Sequence, residues 1–270
     1  LRNILSNSGT GVYGNKIDSL SNDYEFNEMA NTPGLGFRYS NKKINLNIGS
    51  SVGFTEYEQV NRTTSATSSY NFANHFPRAN IRYKFTPNKS VNFYYNGRTS
   101  APSLNQLQPI RVNTDPLNQV IGNPDLRPSF SHSFTLSYSS WQMLSERNIY
   151  ASLRFGLTQN AFVNLTNIVN AVGTSQTVNT NGIYNYNLYG GYSKKLRDIN
   201  LRIGVRPDIS FRQNVDFVGL STGAVKNLTK NASYNLNLTF SRDIEKKYDI
   251  YLSPYFGYNV AKASVNSLAN

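Results

Sequence analysis

The chain has 270 residues, of which 16% are charged and 13% are aromatic, with no cysteine and a formal net charge of +12 at pH 7. The absence of cysteine excludes disulfide bonds and thiolate metal sites. No run of hydrophobic residues is long enough for a transmembrane helix. The Lys and Arg residues are scattered rather than gathered in one stripe with stacking aromatics, which argues against a nucleic-acid-binding surface.

Hydrophobic and polar residues alternate with a period of two in ten segments, which predicts ten β-strands. Taken in chain order, these segments pair across short polar turns into five hairpins. The predicted strand pairs are residues 32–40 with 44–55, 77–85 with 90–98, 130–141 with 148–158, 184–193 with 199–212, and 233–241 with 250–260. Long loops are predicted at residues 60–70, 99–128, 160–180 and 212–230, and residues 1–31 are also predicted to be loop.

Strand length and loop order favour a membrane protein. The segment from Ile199 to Phe211 would span roughly 43 Å at about 3.3 Å per residue, and a tilt of about 40° brings this to the thickness of a bilayer core. Short turns that alternate with long loops are typical of outer-membrane barrels. Aromatic residues near strand ends, Trp141 and Tyr192 among them, suit the girdles at the membrane surfaces.

The sequence therefore predicts an all-β fold, an antiparallel up-and-down transmembrane β-barrel formed by residues 1–270 as one domain. About ten strands are present, and we expect them to be part of a larger barrel. A soluble β-sandwich or β-solenoid is the alternative, in which the same apolar residues would fill a protein core. If the apolar side of the strands faces lipid, we expect Ile203 to lie at mid-depth in the bilayer. Replacing Ile203 by Arg should then destabilise the fold more than replacing Arg202 by Ile.

Basic residues recur on the polar side of the predicted strands, and Asp208 is nearly the only acid among them. They are Arg38, Arg78, Arg82, Lys84, Arg98, Arg154, Arg202, Arg206 and Arg212. If this side faces the lumen, a positive wall would favour anionic solutes or bind an acidic plug. Two other interpretations stay open: the side chains bind lipopolysaccharide phosphates, or they pair with residues of further strands.

No pattern of residues predicts catalysis, a cofactor or a metal site. The chain has two histidines, His75 and His132, and the second is flanked by Ser131 and Ser133. Because adjacent strand residues point to opposite faces, His132 cannot serve either serine as a general base without a bulge. No His, Asp or Glu cluster has metal-ligand spacing. We therefore expect no enzymatic activity.

One segment resembles a known family. It contains Arg98, Pro102, Ser103 and Leu107, followed by the run Gly122, Asn123, Pro124, Asp125, Leu126, Arg127 and Pro128 and then by an alternating strand. This segment resembles the TonB-dependent receptor barrel, most of all the subgroup known as the outer membrane protein beta-barrel family. In that family a Gly-Asn-Pro-x-Leu-Lys-Pro segment closes an extracellular loop, and an acidic residue usually stands where this chain has Ser129.

The resemblance implies a place in the cell outer membrane of a Gram-negative bacterium and a role in the uptake of solutes or nutrients. It also implies contact with outer-membrane lipid and lipopolysaccharide, and a plug domain and TonB energising complex encoded outside this chain. Family members have more than ten strands, so we expect an internal or C-terminal fragment of a longer barrel. A ten-strand surface hydrolase, whose acids and histidines would converge at one rim, and a passive porin or adhesin are the alternatives.

Overall fold

The computed structural model describes residues 4–6, 13–16, 24–62, 65–107, 111–112, 117–169, 172–220, 223–244 and 247–265. Nearly all of them are in β-strands, and the described helix, α1 (Leu104–Leu107), has four residues. No helix in these ranges combines the length and the apolar character needed to cross a membrane.

The described ranges contain eighteen strands, named here in chain order. They are β1 (Ile4–Ser6), β2 (Tyr13–Lys16), β3 (Tyr24–Asn31), β4 (Gly34–Ser40), β5 (Ile44–Asn61), β6 (Ala66–Thr86), β7 (Lys89–Ser100), β8 (Arg111–Val112), β9 (Asn118–Ile121), β10 (Ser129–Gln142), β11 (Arg147–Gln159), β12 (Ala161–Val169), β13 (Val172–Thr180), β14 (Ile183–Leu196), β15 (Leu201–Leu220), β16 (Gly223–Ile244), β17 (Tyr248–Leu252) and β18 (Tyr255–Ala263).

All ten predicted strands are present. Strand β6 is antiparallel to β7, β7 to β10, and β10 to β11. The series continues with β11 and β14, β14 and β15, and β15 and β16, all antiparallel. Strand β5 is hydrogen-bonded to both β4 and β6. This sequential antiparallel order confirms the predicted all-β, up-and-down arrangement.

The last predicted strand, residues 250–260, is divided into β17 and β18, which both pair with β16. The break falls at Ser253 and Pro254, where the proline has no N–H to donate to the ladder. Pro254 still accepts a hydrogen bond through its carbonyl from the N–H of Leu238, at 3.0 Å. The interruption is therefore local, and β16 keeps a partner on both sides of it.

The predicted short turns have specific local causes. The side-chain oxygen of Asn41 accepts hydrogen bonds from the N–H groups of Lys43 (2.8 Å) and Ile44 (2.7 Å), which closes the turn between β4 and β5. Glu146 holds a φ value of +43° in the turn before β11. Asn200 holds a φ value of +47° in the turn before β15, so the strand predicted to start at residue 199 starts at Leu201 instead. Asn adopts this left-handed conformation more readily than most residues.

The predicted loop bounds are wrong, because strands occupy much of each predicted loop. Residues 212–230 continue β15 and β16 apart from 221–222, and residues 160–180 form the β12–β13 hairpin. Residues 60–70 are mostly the ends of β5 and β6, and β8 and β9 lie inside 99–128. Strands β1, β2 and β3 lie within residues 1–31, of which 1–3, 7–12 and 17–23 lie outside the described ranges. Polar residues pair through their backbones as well as apolar ones do, so the apolar pattern ends before the strands do.

The described chain divides into two compact units. The first contains Leu1–Gly34 and Ser51–His75, and the second contains Leu35–Ser50 and Phe76–Asn270. In the first unit, Tyr57 contacts the rings of Phe26 and Phe72 at centroid distances of 5.3 and 5.7 Å. Strands β5 and β6 contribute residues to both units, so one barrel domain over residues 1–270 stays a prediction.

In the second unit, the sheet has an apolar face that no layer of protein covers among the described residues. Residues opposite each other in register share a face, and Leu136, Leu153 and Leu188 form such a row across β10, β11 and β14. Their exposed fractions are 47%, 43% and 46%. In the adjacent row, the ring centroids of Tyr95 and Phe134 lie 4.8 Å apart. A β-sandwich would bury these side chains, so that alternative is wrong.

Cations mark the two ends of this apolar face on β16. Lys230 and Arg242 flank the apolar residues Ala232, Tyr234, Leu236, Leu238 and Phe240 on one side of the strand. Twelve steps of about 3.3 Å give roughly 40 Å, and a tilt of about 40° reduces this to roughly 30 Å of depth. That depth equals the hydrocarbon thickness of a typical bilayer. The expected mid-depth position of Ile203 is wrong, because Ile203 lies opposite Lys194 near the start of β15.

The family-like segment, Gly122 to Pro128, is bound to strand β13 by side-chain hydrogen bonds. Asn179 accepts a hydrogen bond from the N–H of Arg127 (2.7 Å), and its amide donates to the carbonyls of Arg127 (2.9 Å) and Asn160 (2.8 Å). Asn123 donates to the carbonyl of Thr177 at 3.0 Å. One asparagine side chain, that of Asn179, therefore joins the motif, β13 and the residue before β12.

A small apolar core lies beside this segment. Among the described residues, the buried hydrophobic side chains are Leu107, Leu126, Ala161 and Val215, and Pro102 is also fully buried. The N–H of Asn123 donates to the carbonyl of Gln106 at 2.6 Å, which fixes the segment against α1. The predicted long loop is thus packed, and its packing depends on Leu107 of α1 and Leu126 of the motif.

We expect the loss of stability caused by a charge on the apolar face to depend on the depth of that charge in the bilayer. Leu153→Arg should lower the free energy of unfolding in phospholipid vesicles by about 2–4 kcal/mol, whereas Ile203→Arg, near the end of the face, should cost about 0–1 kcal/mol. The control is Arg154→Leu, because Arg154 lies on the opposite face. Its contact with the Tyr189 ring, 5.2 Å from the centroid, contributes about 0.5–1 kcal/mol. Equal losses for Leu153→Arg and Arg154→Leu in urea titrations would contradict a lipid-facing surface.

Asn179→Ala should release the family-like segment without unfolding the sheet. The variant loses three hydrogen bonds, each with a net contribution of about 0.5–1.5 kcal/mol, so the local opening free energy should fall by about 2–4 kcal/mol. Hydrogen exchange at the amide of Arg127 measures this change. The control is Asn164→Ala, an exposed asparagine on β12. Unchanged protection in Asn179→Ala would show that the apolar core alone holds the segment.

Candidate functional site

The nine predicted basic residues all lie on the polar face of the sheet in the second unit. Register places Arg98 opposite Ser131 and Arg154 opposite Thr135. On the other side of β11, Arg154 lies opposite Asn187 of β14. Arg212 of β15 lies opposite Asn185 of β14. On β6, Arg78, Arg82 and Lys84 lie opposite polar residues of β7. Arg202 and Arg206 lie on the same side of β15 as Arg212, and Arg38 lines the same groove as Arg82. The strands thus bring together on one surface residues that are far apart in the sequence.

These basic side chains lack acidic partners almost throughout. Among the described residues, only Arg202 of the nine has a carboxylate partner, Glu146, at 2.8 Å. The guanidinium of Arg154 donates to the hydroxyl of Tyr189 at 3.3 Å, and that of Arg212 donates to the side chain of Asn214 at 3.0 Å. Eight of the nine side chains are exposed and Lys84 is half-buried. The polar face therefore keeps a positive potential that neighbouring acids do not neutralise.

Asp208 lies on this face but does not neutralise an arginine. Its two carboxylate oxygens accept hydrogen bonds from the amides of Asn187 (3.0 Å) and Asn235 (3.4 Å), one on each neighbouring strand. Asp208 thus connects three strands, β14, β15 and β16, through neutral donors. Among the described residues it forms no ion pair, so the basic side chains around it remain available to other anions.

Two grooves on the polar face could hold a solute or a polypeptide segment. The first has a volume of about 650 Å³ and is lined by Arg38 and Arg82 together with asparagines and serines, including Asn45, Asn92 and Ser137. The second has a volume of about 600 Å³ and is lined by Arg212 with Asn187, Asn231 and Ser233 among others. In both grooves the chemistry is the same: amides and hydroxyls for hydrogen bonding, and guanidinium groups for an anion.

The register places His132 and its neighbouring serines on opposite faces of the sheet. His132 lies opposite Gly97 on the apolar face, whereas Ser131 lies opposite Arg98 on the polar face. The Nδ1 atom of His132 is 3.1 Å from the hydroxyl of Tyr95, and its ring contacts Phe130 at 4.6 Å. Within the described ranges, no group of three or more His, Asp or Glu side chains is arranged to hold a metal ion.

The motif residues Gly122 to Pro128 lie together next to β13, where Asn179 binds them. Sequence reasoning identified the motif but missed its partners, Asn179 and Gln176. The side-chain amide of Gln176 donates to the carbonyl of Gly122 at 3.2 Å. The only signal for them is the polar run from Gly173 to Thr180, which the sequence pattern alone marks as loop. The motif stabilises a packed segment, while the basic face is formed by other residues.

Comparison with a family model supports this architecture. The sequence matches the model of the outer membrane protein beta-barrel family over residues 3–270. The chain is also similar to the crystal structure of the siderophore receptor PirA from Pseudomonas aeruginosa, with a TM-score of 0.43 and 11% sequence identity. That match covers 90% of this chain and 58% of the receptor chain, so this chain spans less than two thirds of the receptor. The sequence matches no curated protein.

The family match extends over nearly the whole chain, and the fold has the features that the family name describes: sequential antiparallel strands and an exposed apolar face. The expected family and location are confirmed. The chain belongs to the outer membrane protein beta-barrel family and is located in the cell outer membrane.

Proposed function

We propose that the chain forms the membrane barrel of a TonB-dependent receptor-like protein that takes up anionic solutes across the outer membrane. The observation that carries this proposal is the polar face, on which nine basic residues meet a single ion-paired acid, Glu146, among the described residues. In a barrel, the face opposite the lipid-facing one lines the lumen. A positive lumen attracts anions and repels cations.

The proposal includes a plug domain and an energising TonB complex encoded outside this chain. It is supported by the Gly-Asn-Pro-Asp-Leu-Arg-Pro segment, which resembles that of TonB-dependent receptor barrels. The grooves with Arg38 and Arg212 would contact the plug or the solute as it passes. Catalysis has no part in this proposal, and the separation of His132 from Ser131 and Ser133 onto opposite faces supports that view.

We expect anion selectivity to depend on the polar face. The double variant Arg206→Gln/Arg212→Gln should lower the uptake of glucuronate relative to glucose by roughly 3- to 10-fold in cells that produce the protein, because two unpaired cations are removed from the solute path. The control is Lys230→Gln/Lys262→Gln, which removes the same charge from the opposite face. If both variants change the ratio equally, net charge rather than a positive lumen determines uptake.

Energised and passive transport differ in their dependence on the proton gradient. A TonB-dependent receptor should lose most of its uptake when a protonophore collapses the gradient across the inner membrane. A passive porin should continue to equilibrate solute at the same initial rate. The measurement is the initial rate of uptake across the outer membrane with and without the protonophore. An unchanged rate would contradict the energised mechanism and favour the porin alternative.

A further inference from the structure

Two cations face each other on the apolar side of the sheet. Arg147, the first residue of β11, lies directly opposite Lys194 of β14. Opposed residues of an antiparallel pair have Cβ atoms about 4.5–5.5 Å apart, and like charges in that position destabilise a sheet. Both side chains are half-buried, and neither has a carboxylate partner in the described part of the chain. Their proximity therefore favours a negatively charged group between them.

The pair lies at the end of the apolar face that adjoins the short turns. Two residues farther along each strand, Ile149 and Tyr192 oppose each other on the same face. Two more cations occupy the same end of that face: Lys89, whose ammonium lies 5.3 Å from the ring centroid of Phe85, and Arg242, which lies opposite Leu201. These four residues, Lys89, Arg147, Lys194 and Arg242, form the short-turn cation row and are distinct from the nine basic residues on the polar face.

We propose that the short-turn cation row binds the phosphates of anionic glycerophospholipids, and that Arg147 and Lys194 share one phosphate. A phosphate accepts charge-assisted hydrogen bonds from both side chains, and its charge offsets their mutual repulsion. The apolar residues next to the row, Ile149 and Tyr192, then lie against the acyl chains. In outer-membrane barrels the short turns are periplasmic, so the bound lipid belongs to the periplasmic leaflet rather than to the lipopolysaccharide leaflet.

A groove on the same face fits this arrangement. It has a volume of about 310 Å³ and is lined by apolar residues that include Ile209, Tyr234, Leu236, Phe256 and Tyr258. Leu236 lies six residues from Arg242 along β16, or roughly 20 Å along the strand. At a tilt of about 40° this is roughly 15 Å of depth, half of the hydrocarbon core. An acyl chain whose headgroup is held at Arg242 reaches this groove at the bilayer centre.

The test compares lipid retention in three forms of the protein. Native mass spectrometry measures how much phosphatidylglycerol and phosphatidylcholine remain bound to the wild type, to Arg147→Gln/Lys194→Gln and to the control Lys84→Gln/Lys195→Gln. The control removes the same charge at the same end of the strands but from the polar face. Loss of two surface cations should weaken phosphatidylglycerol binding by roughly 30-fold in the first variant only.

A stability measurement separates lipid binding from folding. In phosphatidylcholine vesicles alone, Arg147→Gln/Lys194→Gln should be at least as stable as the wild type, because a repulsion has been removed. Adding phosphatidylglycerol in equal parts should raise the Tm of the wild type and of Arg147→Lys, but not that of the double variant. Equal retention in all three proteins, equal loss in both double variants, or failure of the first variant to fold in phosphatidylcholine would each overturn the proposal.

Discussion

The hydrogen-bonded ladder between neighbouring strands is the constraint on which the rest of the structure depends. In a bilayer no water is present to satisfy a backbone N–H or C=O group, so each strand must find all its partners in the strands beside it. The unbroken antiparallel registers of β10 with β11 and of β15 with β16 meet this requirement over their full lengths. Even Pro254, which cannot donate, keeps its carbonyl in the ladder.

The ladder also separates two environments across one sheet. Because side chains alternate between the faces, the register that places Leu153 opposite Leu136 also places Arg154 opposite Thr135. A slip by one residue would exchange the two faces along a whole strand and carry arginines into lipid. The cost of such a slip is several kcal/mol for each charge near the bilayer centre. The outward apolar face therefore specifies the register without a protein core against which to pack.

The strands and most short turns could be predicted from the sequence because lipid selects a strict alternation of apolar residues, and Asn41 is a typical turn residue. Asn200 is predicted to lie in a strand but lies in the turn before β15. The extensions of β15 and β16 beyond the apolar segment could not be predicted, since water accepts any polar side chain there. A position near a strand end is not enough to predict a girdle residue. Trp141 lies near the end of β10, but it lies opposite Asn148 on the polar face. Tyr192, opposite Ile149, does lie on the apolar face.

Only part of the candidate site could be predicted from the sequence as well. Period-two alternation placed the nine basic residues on one side of their strands, and the register shows that those sides form one face. Their nearly complete lack of acidic partners could not be predicted, because it depends on which strands are neighbours. The contacts of Asn179 also depend on tertiary structure, since they join residues about fifty positions apart.

The distribution of charge follows from what each environment tolerates. On a hydrated face an exposed ion pair contributes about 0–1 kcal/mol, so the folded state gains little from pairing each arginine with an acid. Leaving them unpaired costs correspondingly little stability, while the uncompensated field persists across the surface. Asp208 fits this pattern, because it accepts hydrogen bonds from two asparagines and forms no ion pair with Arg206 or Arg212. The positive field of the polar face is thus a property that stability does not require, which leaves it available for the proposed selection of solutes.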